Sequence, residues 1–216
     1  MILNIYKPTG STSFAIVKKI REITSEKVGH GGTLDPFAEG VLVLGTGKDT
    51  KKLTTITNDD KSYVATIQLG ATTDTLDIES KITKKKEIPR LNKNVIENVL
   101  KSFLGDSAQT PPMYSAKKIN GKKLYDLARK NISVKRTPTN ITIKNIKLLE
   151  FKGSSIRFSV TCTKGTYIRV LGNDIAEKLG TVGYLVRLIR IRVGEHLIQD
   201  SKTIANFRVS WKSFEY

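Results

Sequence analysis

Tyr63-Val-Ala-Thr-Ile-Gln-Leu69 sets Tyr63, Ala65, Ile67 and Leu69 against Val64, Thr66 and Gln68. A period of two over seven residues predicts a β-strand with one face in a core, and it puts the Tyr63 ring on that face. Downstream, Ile156, Phe158, Val160 and Cys162 repeat the pattern, so Cys162 is read as a core residue of a second strand. Residues 141–151 predict another strand. Residues 187–193 alternate Ile189, Ile191 and Val193 with Arg190 and Arg192, which predicts a strand with one cationic face. Upstream, Val41-Leu-Val-Leu44 is a short apolar run closed by Gly45, the mark of a buried strand.

Helices fall between these strands. Phe14, Ile16, Val17, Ile20 and Ile23 follow helical spacing after the candidate caps Ser11, Thr12 and Ser13. Val95, Ile96, Val99, Leu100 and Phe103 mark a second helix that Gly105 can end. Ile168, Leu171, Ile175 and Leu179 mark a third, stopped at Gly180, with Arg169 in its first turn. Alternating strands with interspersed helices argue an α+β fold rather than a βαβ repeat.

A chain of 216 residues buries a core large enough for a complete active site. Its 37 Lys and Arg against 20 Asp and Glu give a formal net charge of +17, a field that attracts polyanions, nucleic acid first among them. Residues 117–136 and 81–93 concentrate the surplus and are read as phosphate-gripping surfaces. One cysteine excludes a disulfide framework, and one cysteine with two histidines cannot assemble a zinc cluster. The N-terminal apolar run is too short for a signal peptide and no stretch is long enough for a membrane span, so a cytoplasmic protein is expected.

Several motif classes fail. Gly45-Thr-Gly47-Lys48-Asp49 lacks the glycine at 42 and the hydroxyl at 49 of a phosphate loop, and no dinucleotide fingerprint or nucleophile elbow occurs. The segment Gly29-His-Gly-Gly-Thr-Leu-Asp35-Pro-Phe-Ala-Glu-Gly40 is different. Its glycines allow close backbone approach, and Pro36 restricts Asp35 to extended geometry, so the loop can present one carboxylate rigidly. An isolated Asp-Pro would be an ordinary turn cap.

The motifs around it decide otherwise. The loop and Val41-Leu42, then Lys61-x-Tyr63, Pro111-Pro-Met-Tyr-Ser-Ala-Lys117, Gly121-x-x-x-Tyr125-x-x-Ala-Arg129, Lys164-Gly-Thr-Tyr-Ile-Arg169 and Leu188-x-Arg190 occur in the order and spacing of the TruB-type tRNA pseudouridine synthases. The chain resembles that family over roughly residues 4–194. The resemblance implies the pseudouridine synthase fold: a central mixed, mainly antiparallel sheet flanked by helices and loops, with a thumb at residues 109–136 that clamps RNA. It implies one catalytic domain over residues 1–194 and a short tail at 195–216, in place of the C-terminal RNA-binding domain common in bacterial members. It further implies conversion of uridine to pseudouridine at position 55 in the tRNA T-loop, by a monomer, with no cofactor and no metal.

Site roles are carried over residue by residue. The resemblance makes Asp35 the catalytic carboxylate, acting as nucleophile or as base on the ribose. Arg169 is expected to pair with it, because a buried carboxylate needs a cation to stay ionised. Tyr63 would stack on the uracil and stand near C5, where a proton must leave. His30 would fill the gap left by the flipped base, Leu188 would pack near that base, and Lys7 would support the site. Tyr167, Lys117, Lys118, Lys122, Lys123 and Arg129 complete the RNA-binding set, the cations meeting phosphates. Leu188-Ile-Arg190 departs from the family's Leu-Arg-Arg, which moves one expected cation to Arg187 or Arg192. The rival readings are an RNA chaperone that remodels tRNA with catalysis incidental, and a pseudouridine synthase with another RNA target.

Overall fold

A computed structural model describes residues 1–119 and 121–212, so the last four residues of the predicted tail and Asn120 of the predicted thumb lie outside the described residues. In chain order the elements are β1 (Ile2–Lys7), α1 (Ser13–Thr24), β2 (Val28–His30), β3 (Glu39–Thr46), α2 (Leu53–Asn58), β4 (Lys61–Leu69), β5 (Ala71–Thr73), β6 (Ile82–Lys85) and α3 (Lys93–Lys101). They continue with β7 (Gly105–Gln109), β8 (Lys118–Ile119), β9 (Lys122–Lys123), α4 (Leu124–Ala128), β10 (Thr139–Lys152), β11 (Ser155–Cys162), α5 (Ile168–Lys178), β12 (Gly183–Val193), β13 (His196–Leu197) and α6 (Ile204–Lys212). The chain divides into two compact units, Met1–Val64 with Arg187–Tyr216, and Ala65–Val186. Among the described residues no helix is long and apolar enough to cross a membrane.

The first unit is organised by β3. It runs antiparallel to β1, from Ile2 opposite Gly45 to Lys7 opposite Gly40, and parallel to β12, with Ile189 opposite Glu39 and Arg190 opposite Gly40. The sheet is therefore mixed. Leu42 and Leu44 pack with Ile16, Val17 and Ile20 of α1, with Leu3, Ile5 and Val28, and with Phe207 of α6. Val41 and Val43 pack with Val193, Ile2, Ile56 and Ile198. Burial on both faces is why residues 41–44 read as a continuous apolar run rather than an alternation. The strand also continues through Gly45 to Thr46, beyond the stop expected at Gly45, because that glycine keeps pairing with Ile2. Thr12 is the cap of α1: its side chain accepts from the Ala15 amide, while Ser13 turns inward and is buried.

The second unit holds the strand order β4, β11, β10, β7, with β10 antiparallel to both β11 and β7. Ile143 stands opposite Cys162 and Phe151 opposite Ile156, and Thr139 stands opposite Gln109 on the other edge of β10. Cys162 is buried, as its strand face requires. The α3 helix stops at Lys101, short of the expected Gly105, because Ser102 already returns its amide to carbonyls of the last turn and Gly105 opens β7. The α5 helix lies close against β4 and β12: a Cβ built on Gly183 would stand 2.7 Å from the Ala176 Cβ and 2.9 Å from Ile67.

One strand expectation is corrected. β12 starts at Gly183, and its buried positions are Gly183, Leu185, Leu188, Arg190 and Val193 rather than a strict alternation. Arg190 is only 2% exposed. The predicted cationic face is not open at Arg190, because its guanidinium finds three backbone carbonyls inside the unit.

Candidate active site

The Asp35 loop is held at nearly every residue. Arg190 donates to the carbonyls of Gly32 (3.0 Å) and Thr33 (3.2 Å). Ser13 Oγ accepts from the Leu34 amide at 2.8 Å and donates to the Leu34 carbonyl at 3.0 Å. Lys7 Nζ donates to the Pro36 carbonyl at 3.2 Å, and the Gly10 amide donates to that same carbonyl at 2.8 Å. The Ala38 amide returns to the Asp35 carbonyl at 3.1 Å, closing a turn around the carboxylate. Leu34, Phe37 and Ala38 are buried, whereas Asp35 between them is half-buried. Apolar anchors on both sides thus hold the backbone while the acid stays accessible.

Lys7 has 0% exposure and also donates to the Pro8 and Ser11 carbonyls. Its ammonium thus braces the loop from inside. Leu188 and Tyr63 are both buried. His30 ends β2, opposite Leu44, and its Nδ1 accepts from the Gly32 amide at 3.3 Å, so the neutral ring carries its proton on Nε2. Burial, and after it the Arg190 charge, hold the imidazole below its ordinary 6.5. A neutral ring suits a steric and stacking part rather than an acid.

Glu39 closes the loop at the start of β3. It accepts from the Tyr6 hydroxyl at 2.5 Å and from Arg187 at 3.0 Å. The Tyr6 bond is the first of the causes that hold Glu39 below its ordinary value, with Arg187 adding to it. Burial, followed by the Glu39 carboxylate, pushes the Tyr6 phenol up to about 12. Of the two cations that could replace the family's missing arginine, Arg187 is engaged by Glu39, and Arg192 by the Ser62 hydroxyl and the Gly194 carbonyl.

The second unit builds around Arg169, which is 4% exposed in the first turn of α5. A cation at a helix N-terminus opposes the helix dipole, so it requires compensation. Arg169 donates to the Thr75 carbonyl at 2.6 Å and the Tyr114 carbonyl at 2.8 Å, and its Nε stands 3.5 Å from the Asp77 carboxylate. Asp77, 1% exposed, accepts from the Thr75 hydroxyl and from the Glu79 amide. Gln109 brackets Tyr167, the residue before α5: its side chain accepts from the Tyr167 amide at 2.8 Å and donates to the Tyr167 carbonyl at 3.2 Å. The sequence reading missed Asp77 and Gln109; the dense Thr72-Thr-Asp-Thr-Leu-Asp77 turn was the available signal.

The predicted thumb is a hairpin and a short helix. Lys118 pairs across from Lys123, and Ile119 from Lys122. Like charges directly opposite one another are unfavourable without an anion. Lys118, Lys122 and Arg129 are exposed, and Lys117 is half-buried. Lys123 Nζ donates to the Tyr125 hydroxyl at 3.0 Å, and Lys123 and Arg129 both lie over the Tyr125 ring. Leu124 and Ala128 are buried beneath.

Solved structures define the class. This chain aligns over its whole length with 56% of a chain from a Cbf5–Nop10–Gar1 complex, at 29% identity and a TM-score of 0.78. It aligns likewise with 55% of a chain from an H/ACA ribonucleoprotein bound to a substrate RNA containing 2′-deoxyuridine, at 26% identity and a TM-score of 0.73. The fold is that of a pseudouridine synthase. Residues 18–168 match the model of the TruB family pseudouridylate synthase, N terminal domain. Proteins called tRNA pseudouridine synthase B are similar over most of the chain: that of Clostridium kluyveri is 45% identical over 93% of this chain, and that of Phocaeicola vulgatus 41% over 95%. The chain spans 69% of the first and 91% of the second, but 56% of the Psychrobacter arcticus protein, to which it is 42% identical. It belongs to the TruB family of pseudouridylate synthases.

Proposed function

We propose that this chain isomerises uridine to pseudouridine at position 55 in the T-loop of tRNA, as a monomer in the cytoplasm, with Asp35 as the catalytic carboxylate. The observation that carries this reading is the half-buried Asp35 on a loop fixed by Ser13, Lys7 and Arg190. The reaction breaks the bond between N1 and C1′, turns the uracil, and joins C5 to C1′. The proton lost from C5 balances the one gained at N1, so no oxidant or reductant is consumed. What this chemistry requires is a fixed anion and a base that does not escape.

The other roles follow from the family and from chemistry. Tyr63 stacks on the uracil near C5, with Leu188 beside it. The family resemblance gives Arg169 the part of the cation that keeps a catalytic carboxylate ionised, and Tyr167 contributes to the RNA-binding face. His30, kept neutral, fills the space of the flipped nucleotide. Lys117, Lys118, Lys122, Lys123 and Arg129 meet the phosphates of the T-stem loop, where an anion relieves the repulsion across the hairpin.

Purified protein incubated with unmodified tRNA, followed by chemical mapping of pseudouridine, tests the proposal. Product is expected at the T-loop. Asp35→Asn is expected to bind the tRNA and make none, and an active Asp35→Asn protein sinks the mechanism. Tight binding without product by the native chain favours a chaperone, and product elsewhere favours another RNA target.

A further inference from the structure

Arg190 spans the whole Asp35 loop. Its backbone pairs with Gly40 at the loop's exit, and its Nε donates to the Val41 carbonyl at 2.8 Å. Its two terminal nitrogens reach back to the entry, at the Gly32 and Thr33 carbonyls. One side chain therefore fixes the two ends of a ten-residue segment, 32–41, relative to each other. Among the described residues its guanidinium meets backbone carbonyls and forms no ion pair, although it is 2% exposed.

Burying a cation without an acid is costly, and a plain structural tie has cheaper solutions in neutral amide donors. The planar guanidinium offers what they lack: a rigid fork that reaches carbonyls nine residues apart at once. We propose that Arg190 is the positioning residue of Asp35, fixing the entry and exit of its loop so that the carboxylate stands at the reacting sugar without rotation of its backbone. This rests on the reading of Asp35 as the catalytic carboxylate. A second consequence is local: the same charge opposes protonation of His30, so one residue aims the acid and keeps its neighbour neutral.

The test compares native protein, Arg190→Lys and Arg190→Ala in single-turnover pseudouridine formation and in tRNA binding. Lysine keeps the charge but loses the fork, and alanine loses both. Misplacement of a reacting group by ~1 Å costs about 100-fold in rate. Each variant is expected to lose about that much while tRNA Kd holds. Added guanidinium is expected to restore part of the rate to Arg190→Ala and none to Arg190→Lys. A stability defect alone would not give that split.

The second measurement follows the His30 imidazole by NMR, with His196→Gln to assign the two rings. The His30 titration is expected to move upward in Arg190→Ala. A folded Arg190→Lys chain with native turnover overturns the proposal. So does a loss that appears as weakened tRNA binding and ignores guanidinium, and so does failure of both variants to fold. If the native chain forms no pseudouridine, the reading of Asp35 fails first. The His30 titration then still tests where Arg190 stands: an unmoved titration rejects its place beside the loop and with it the clamp.

Discussion

Gly40→Ala tests the clamp between the loop and β12 without touching a charged group. Gly40 has φ of 109°, in the region that favours glycine, and a Cβ there would stand 2.3 Å from the Arg190 carbonyl oxygen and 3.0 Å from its carbon and nitrogen. All three are backbone atoms, so no rotamer change relieves the contact. Ordinary contact begins at 3.4 Å. The parallel pair must therefore part by about 1 Å, at an overpacking cost of ~1–3 kcal/mol. Strained dihedrals for a residue with a Cβ add on the order of 1 kcal/mol. A loss of about 3 kcal/mol, at about 2–4 °C per kcal/mol for a chain of this size, lowers Tm by roughly 10 °C. The same shift displaces the segment that starts at Asp35, so single-turnover pseudouridine formation should fall by about 100-fold at a temperature where the variant is folded. Calorimetry and a product assay on one preparation read both. A Tm within about 2 °C of native refutes the packing argument, and a native rate in a destabilised protein refutes the link to Asp35.

Three further outcomes are expected. Asp77→Ala removes the carboxylate 3.5 Å from the buried Arg169 Nε and should cost about 3 kcal/mol, read as a lower urea midpoint; an unchanged midpoint would show that the other partners of Arg169 suffice. His30, held below its ordinary 6.5, is protonated in the unfolded chain first, so its contribution is present above 6.5 and is lost as pH falls through that value toward its folded one. Urea midpoints measured near pH 7.5 and about 5.5 should therefore differ more in native protein than in His30→Gln, and equal differences would contradict the shift. Each of Lys118→Gln and Lys122→Gln should reduce the slope of log K for tRNA against log salt by about 1; an unchanged slope would place these lysines off the phosphates.

Legibility of the fold tracked burial pattern. The alternations at 63–69 and 156–162 were readable because one face of each strand is in a core and the other is not. The polar strand β7, exposed at Gly105 to Ala108, and the two-residue strands of the thumb hairpin carry no such contrast. Backbone pairing alone defines them, and it leaves no trace in residue type. At β12 the contrast was present but misleading, since buried positions at 185, 188, 190 and 193 break the period of two and an arginine occupies one of them.

The site was legible where it repeats a motif and illegible where a side chain serves the backbone. Asp35 stands in a glycine-rich loop beside a proline, and that pattern is visible. Ser13, Lys7 and Arg190, which hold the loop, contact amides and carbonyls that any sequence possesses. The same distinction changes the meaning of the +17 charge. Lys7 and Arg190 are buried on carbonyls, Lys61 is 6% exposed with its ammonium on the Ile56, Thr57 and Asp59 carbonyls, and Arg169 sits against Asp77. These four cations fasten backbone and helix ends from inside, where they release no counterions from RNA. The cations in the open are others, above all those of residues 81–93 and the predicted thumb. Composition counts both kinds alike; only the salt slope of binding separates them, because it registers phosphates neutralised rather than lysines present.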